Sequence, residues 1–581
     1  MRFLKPFATR QMLCWLAIGL GGCAALAPPP TTPRAPAPSA TAPAAPGSTS
    51  APTPPAAEPA ATPGPLAAPY SAAVAARFPD PAVRYNTPAL KDGRAGFTTN
   101  AEMQALLRSL VTPGEGAGPP GVTLLPLGSS QSGVPIEALL FSRVGDASTS
   151  AAQRAARPTV LLVGQQHGDE PAGAEALAVI AQELAQGSLQ QVLDRINVIV
   201  LPRANPDGAL AHRRVTANGI DANRDHLLLK TPEAQAQAQL VRDYQPMVVI
   251  DAHEYTVVGR YLEKFGAVQR FDALVQYAMT ANLPPFITQA SEEWFREPLL
   301  ASLKEQGLTS EWYYTTSVDP QDKKVSMGGT QPDTGRNVNG LKNAISMLIE
   351  TRGVGIGRLH LARRVHTHVT AMRSVLRSAH TRAAELARLR QFVDSDVSLQ
   401  ACRGELVVEA GPTPSEYTLL MLDPQSGADK PVTVAWDSAL VLNNLKSRAR
   451  PCGYWLAADQ TDAVARLRRL GVQVRKVVEV GVARGETYSE TSREEGARQD
   501  VRGTIADAAS VLRVQVQTVQ ALIDVPAGSF YVSMEQPLAN LVAAALEPDT
   551  QNSYLSHRIV TDLAAQVRVL ARPELKTVAV P

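Results

Sequence analysis

Two histidines and a glutamate stand where a folded chain would deliver them to one place. His167-Gly168-Asp169-Glu170 follows directly on the apolar, β-rich run TVLLVG, residues 159–164, and His253 follows directly on MVVIDA, residues 247–252. In α/β sheets the C-terminal ends of the strands form the usual ligand crevice. Two imidazoles and a carboxylate delivered there make a His₂Glu set, which suits zinc and leaves a fourth position open for water. Taken alone, His-x-x-Glu is a weak pattern, and a strand-end histidine beside a solvated glutamate satisfies it too. His366-Thr367-His368 offers a second pair, but residues two apart on a helix point to different sides. They read as surface histidines.

Positioning such a site falls to a layered set of strands and helices. Residues 159–164 (TVLLVG), 196–201 (INVIVL), 247–250 (MVVI) and 346–349 (SMLI) are short, continuous apolar runs. Strands of that kind are buried on both faces, so helices must cover the sheet on each side, which is the α/β pattern. The intervening residues 171–183 have helical Ala and Leu spacing, with Pro171 at a first-turn position. Residues 360–392 predict one long helix that closes this part of the chain. After about Val393 the texture changes to β-like runs (GELVVEA, EYTLLML, PVTVAW), a helix near 461–470 and the strand-like VQVRKVVEV. The expected division is therefore a catalytic domain over 70–393 and a smaller α+β or β-rich domain, of unassigned role, over 394–581.

Further motifs sharpen the chemistry. Asn205-Pro206-Asp207-Gly208, Arg213-Arg214, Gly219-Ile220-Asp221-Ala222-Asn223-Arg224, Asp251-Ala252-His253 and Ile349-Glu350-Thr351-Arg352-Gly353 follow one another in order. This series resembles the zinc carboxypeptidase family over about residues 80 to 390. The resemblance implies a mixed central sheet with helices on both faces and one Zn²⁺ per chain held by His167, Glu170 and His253. It further implies Glu350 as general base and Arg213 as the group that polarises the scissile carbonyl, with Arg214 as the adjacent fallback. Asn223 and Arg224 correspond to the pair that grips a substrate's terminal carboxylate, and Asp221 to the acid that orients a ligand histidine. The implied activity is zinc-dependent hydrolysis of peptide bonds, removing C-terminal residues. A deacylase or a cell-wall peptide amidase of the same fold is the alternative, and a non-catalytic surface lipoprotein is the reading from another class. Asn205-Pro-Asp-Gly itself reads as a turn.

The sequence departs from that family in one place. Its best-known members carry a tyrosine about twenty residues before the catalytic glutamate, whereas here residues 327–337 (MGGTQPDTGRN) contain none, and Tyr313 and Tyr314 are displaced. Thr334, Arg336 and Asn337 are the candidates for substrate contact in its stead, with Arg336 a second group for a carboxylate. The interval from Glu170 to His253, 253 − 170 = 83 positions, is compact.

The remaining features concern location. Formal net charge is +2 with the charges well mixed, which gives nucleic acid nothing to bind. Arg2, Lys5 and Arg10 precede a short apolar run, and Leu20-Gly21-Gly22-Cys23 resembles a bacterial lipobox. Residues 1–22 are thus expected to be a signal peptide, Cys23 to carry lipid, and 23–69, rich in Ala and Pro, to be a disordered tether. Ala24 lacks the retention signal of an aspartate, which favours the outer membrane on its periplasmic side and makes peptidoglycan-derived peptides plausible substrates. Cys402 and Cys452 remain as a disulfide candidate in an oxidising compartment.

Overall fold

The apolar runs become the centre of an eight-stranded mixed sheet. The computed structural model describes residues 69–111, 121–143, 157–505 and 510–580. The expected leader and almost all of the tether, Cys23 included, lie outside them. The sheet comprises β1 (Gly121–Ser129), β2 (Pro135–Ser142), β3 (Thr159–Gly164), β4 (Asn197–Leu201), β5 (Val248–Thr256), β6 (Ala273–Tyr277), β7 (Ser310–Trp312) and β8 (Ile345–Val354). Their spatial order is β1-β2-β4-β3-β5-β8-β6-β7. Strands β4, β3, β5 and β8 run parallel, and β2 and β6 pair antiparallel on either side of them. The carboxyl ends of β3, β5 and β8 therefore open on one edge of the sheet.

Helices cover both faces because the parallel strands have no polar side. Every residue of β3 is buried. The helix α1 (Pro171–Gln186) is buried along most of its length, with Leu177, Ile180 and Leu184 fully inside. Each such side chain contributes roughly 1.5–3 kcal/mol relative to exposure. Gly173 allows α1 to press onto β5 beside His253, since a Cβ there would lie 2.9 Å from the Cβ of Ala252. Where one long helix is expected over 360–392, the chain forms two, α2 (Leu361–Thr381) and α3 (Ala383–Leu399), which break at Arg382 with φ −101° and ψ 21°. Among the described residues no helix is long and apolar enough to cross a membrane.

Downstream, the short β-like runs merge into a long hairpin, β9 (Glu405–Leu422) and β10 (Asp429–Ala449). Pro412 and Pro414 interrupt the sequence pattern, and the register shifts near Val407–Thr413 accommodate the break. Of VQVRKVVEV only Arg475–Val477 is strand. The hairpin adds directly to short strands upstream: Met421 and Leu422 pair with Gln269 and Val268, and Trp436 and Asp437 with Val325 and Ser326. The hairpin and the eight-stranded sheet thus lie within one compact unit. Cys402, after α3, is disulfide-bonded to Cys452, with Cα atoms 4.3 Å apart. A seven-stranded sheet completes this part. Between its strands Gly481–Gly496 and Val511–Val525, the chain forms a small antiparallel turn pairing Gln499–Asp500 with Gly503–Thr504.

Candidate active site

His167 and Glu170 occupy the turn between β3 and α1, and His253 lies in β5 near its carboxyl end. The turn is pinned from below: Gly168 donates its N–H to the Arg213 carbonyl, and a Cβ at Gly168 would fall 1.8 Å from the carbonyl carbon of Gly208. Only glycine fits there. All three side chains are buried, and their ligand atoms lie within 4.8 Å of one another. Nδ1 of His167 is 2.8 Å from one oxygen of Glu170, Nδ1 of His253 is 2.8 Å from the other, and the two Nδ1 atoms are 3.0 Å apart.

The outer ring nitrogens decide the tautomers. Nε2 of His167 is 3.0 Å from Asp221 Oδ1, and Nε2 of His253 is 2.9 Å from Asp251 Oδ2. An ionised carboxylate only accepts, so each Nε2 carries a proton, and with a metal ion bound each Nδ1 would turn its lone pair to that ion. Two lone pairs and a carboxylate facing one point call for a cation between them. The donor set, the burial and the two orienting acids all fit a zinc ion.

Glu350 stands on β8, in direct register with His253 on β5. It is buried, and burial, reinforced by the charge of Glu170, pushes its carboxyl up to about 7. It lines a cleft with His167, Arg214, Asn223, Tyr313 and Arg336. Arg214 donates through Nη2 to Asp221 (2.8 Å), and Nη1 lies 3.4 Å from Glu170. Asp221 thus holds a metal-facing histidine with one oxygen and a cleft arginine with the other.

Several sequence-based assignments change here. Arg213 is exposed and its side chain stays out of the cleft; Arg214 takes the place beside the metal ligands. His212 adopts φ 47° and ends the helix Pro206–Ala211, and beyond it Arg213 is exposed while Arg214 is partly buried. Arg224 lines the cleft but is already occupied, with Nε 3.0 Å and Nη2 2.6 Å from Asp500. Asn223 is likewise engaged: Oδ1 accepts from Gly335 N (2.8 Å) and Nδ2 reaches Asp251 (3.4 Å). Its part is to brace the His253–Asp251 pair. Arg336 is the better candidate for a substrate carboxylate, since it donates one bond to the Gly329 carbonyl and leaves its Nε without a partner. Asn337 turns away to the Gln331 and Gly329 carbonyls and the Met279 amide. His366 and His368 are buried instead of lying on the surface: His366 Nδ1 meets the Tyr85 hydroxyl at 2.7 Å, and His368 Nε2 is 3.1 Å from Thr351 Oγ1.

Four cleft or supporting residues have a place in the structure to which the sequence assigns no role: Asp251, Tyr313, Arg260 and Arg502. Asp251 was findable, because residues two apart on a strand share a face and Asp251 precedes His253 by two. Tyr313 enters from the segment after β7 and packs against Arg336, whose guanidinium carbon is 5.8 Å from its ring centre. Arg260 and Arg502 line the same cleft from distant parts of the chain, and no local pattern marks either.

Comparison with known proteins agrees with this chemistry. The family model described as zinc carboxypeptidase matches residues 115–264. Carboxypeptidase 2 of Trichophyton rubrum is 29% identical over 411 residues, covering 69% of this chain and 74% of that protein. Carboxypeptidase D of Mus musculus is 38% identical over 120 residues, 18% of this chain and 9% of that protein. A solved metallo-carboxypeptidase from Pseudomonas aeruginosa superposes with a TM-score of 0.36 at 20% identity, over 49% of this chain and 69% of that one. Residues 115–264, which contain the metal triad, Asp221, Asn223 and Arg214, are thus the part of the chain that matches the zinc carboxypeptidase family model.

Proposed function

We propose that the protein is a zinc-dependent hydrolase that cleaves peptide bonds and releases C-terminal residues. The observation that carries this reading is the convergence of His167, Glu170 and His253 with Glu350 and Arg214 on one cleft. A zinc ion held by the three ligands supplies an activated water near neutral pH and positive charge for the developing oxyanion. Glu350, near pH 7 in its titration, is suited to take a proton from the attacking water and hand it to the leaving amine. Arg214, fixed by Asp221, presents its guanidinium to the scissile carbonyl oxygen. Arg336 is placed to receive the substrate's carboxylate in a fork-like pair. The test is zinc content and hydrolysis of peptide and N-acyl amino-acid panels by the full chain, wild type beside Glu350→Gln. Zinc in both with turnover only in the wild type supports the reading. Turnover confined to N-acyl amino acids would make it a deacylase, and a protein that takes up no zinc would end the proposal.

The finer setting is also proposed: Cys23 carries a lipid anchor, the chain sits on the periplasmic side of the outer membrane, and peptidoglycan-derived peptides are its substrates. Support comes from Arg2, Lys5, Arg10 and Leu20-Gly21-Gly22-Cys23. Metabolic labelling with a clickable fatty acid should mark the wild type, and labelling that persists in Cys23→Ser would overturn the anchor.

A further inference from the structure

The cleft holds more positive charge than its own acids neutralise. Arg214, Arg224, Arg260, Arg336 and Arg502 line it, facing Asp169, Glu254 and Glu350. Arg214 is paired with Asp221 and Arg224 with Asp500, while Glu254 is taken by Arg364 at 2.7 Å. Arg260 donates to the Thr316 carbonyl and Arg336 to the Gly329 carbonyl. Among the described residues neither they nor Arg502 has a carboxylate partner.

Arg502 is the least expected of these, because it comes from the downstream part of the chain. It sits at the tip of the small turn between Gln499–Asp500 and Gly503–Thr504. That tip is fastened at several points. Arg498, buried at its base, bonds Asp333 (2.8 Å) and the Arg224 carbonyl (3.0 Å). Asp500 grips Arg224 and also accepts from the Arg502 amide (2.7 Å), and the Arg502 carbonyl accepts from Val318 N (3.0 Å). The side chain so held lies near Arg214, and the charge of that arginine, then burial and the charge of Arg260, depress its guanidinium. Keeping like charges together in a water-poor cleft costs folding free energy, which an anionic ligand recovers on binding.

We propose that the 498–505 turn supplies Arg502 as a specificity-determining cation, making the cleft selective for peptides that carry an acidic side chain at one of the two C-terminal positions. The terminal carboxylate uses Arg336, and the extra carboxylate of the substrate answers the charge of Arg502 and Arg260. This rests on the peptide-hydrolase reading above, so binding is the readout that keeps the two apart.

The experiment measures Kd by calorimetry for acetyl-Phe-Glu against acetyl-Phe-Gln, and acetyl-Glu-Phe against acetyl-Gln-Phe. The protein is the zinc-loaded full chain carrying Glu350→Gln, with and without Arg502→Gln. In the parent, the acidic member of at least one pair should bind about tenfold tighter, as expected for one charge-assisted contact of about 1.4 kcal/mol. Arg502→Gln should reduce that preference to under threefold, and Arg502→Lys, with an unchanged unfolding midpoint, should keep part of it. Equal affinities within both pairs, or a preference that survives Arg502→Gln, would overturn the proposal. Selective binding of a peptide that wild-type enzyme never cleaves would instead overturn the hydrolase reading and leave this one standing.

Discussion

Replacing Glu350 by glutamine should stabilise the metal-free protein while it removes activity. Glu350 is buried beside Glu170, and its carboxyl titrates at about 7 in the fold against the ordinary 4.5. Between those values the folded state keeps a proton that the unfolded chain has lost, so stability falls as pH rises through the window and is lowest above it. The difference of 2.5 units corresponds to about 3 kcal/mol at pH 8 and under about 1 kcal/mol at pH 5. A neutral amide of the same shape carries no such cost. For a chain of this size, with an unfolding entropy on the order of 1 kcal/mol/K, Glu350→Gln should raise the midpoint by about 3 °C at pH 8 and by about 1 °C or less at pH 5. Zinc lowers the carboxyl's titration by its own charge, so the gap should narrow when metal is restored. Turnover of the zinc-loaded variant should drop about 10²–10⁴-fold, the usual contribution of a general base. Scanning calorimetry on chelator-stripped wild type and variant at the two pH values, beside a peptidase assay, reads all of this. Identical midpoints at pH 8 would refute the placement of an ionised Glu350 in a buried, negatively charged setting. Undiminished turnover would remove it as the base.

Other consequences are as direct. Arg214→Ala should lower kcat about 10²–10³-fold, the effect of one oxyanion donor, while Arg213→Ala, exposed and outside the cleft, should leave kcat/KM within about twofold. Equal losses in both would return the role to Arg213. Replacing Cys402 and Cys452 together by serine opens a bridge across 50 positions and should destabilise the fold by about 4 kcal/mol on the loop-entropy model, seen as a lower unfolding midpoint with kcat unchanged. Lys342 is buried, and burial, with Arg242 nearby, lowers it to about 7. Between that value and its ordinary 10.5 the unfolded chain holds a proton the folded one lacks, so stability rises with pH across the window by up to about 1.4 kcal/mol per unit. Lys342→Met should flatten that rise, and denaturant titrations at pH 7 and 9 give the comparison.

The downstream part of the chain is tied to the catalytic part by more than proximity. Its β9–β10 hairpin extends short strands that lie between β5 and β8 in sequence, and its 498–505 turn reaches the cleft through the Arg224–Asp500 ion pair. Of the two, the turn brings Val501 and Arg502 into the lining of the cleft.

What the sequence determined by itself was the frame and the metal set. Continuous apolar runs of strand length specified the central strands, since side chains alternate on a strand and only a sheet covered on both faces needs every position apolar. A His or Glu at the end of such a run, as at 167, 170 and 253, is placed by the strand that precedes it, so a local pattern sufficed. Tertiary structure alone decided which arginine serves the cleft. The choice between Arg213 and Arg214 turns on how the irregular chain runs after the left-handed cap at His212, which leaves Arg213 exposed and Arg214 beside Asp221. Arg224 was drawn to Asp500, 276 positions away, and Arg502 arrived on the same turn. Periodicity encodes which side of its own element a residue occupies, but an ion pair between elements far apart in the chain depends on where both come to rest, and nothing in the local spacing records that.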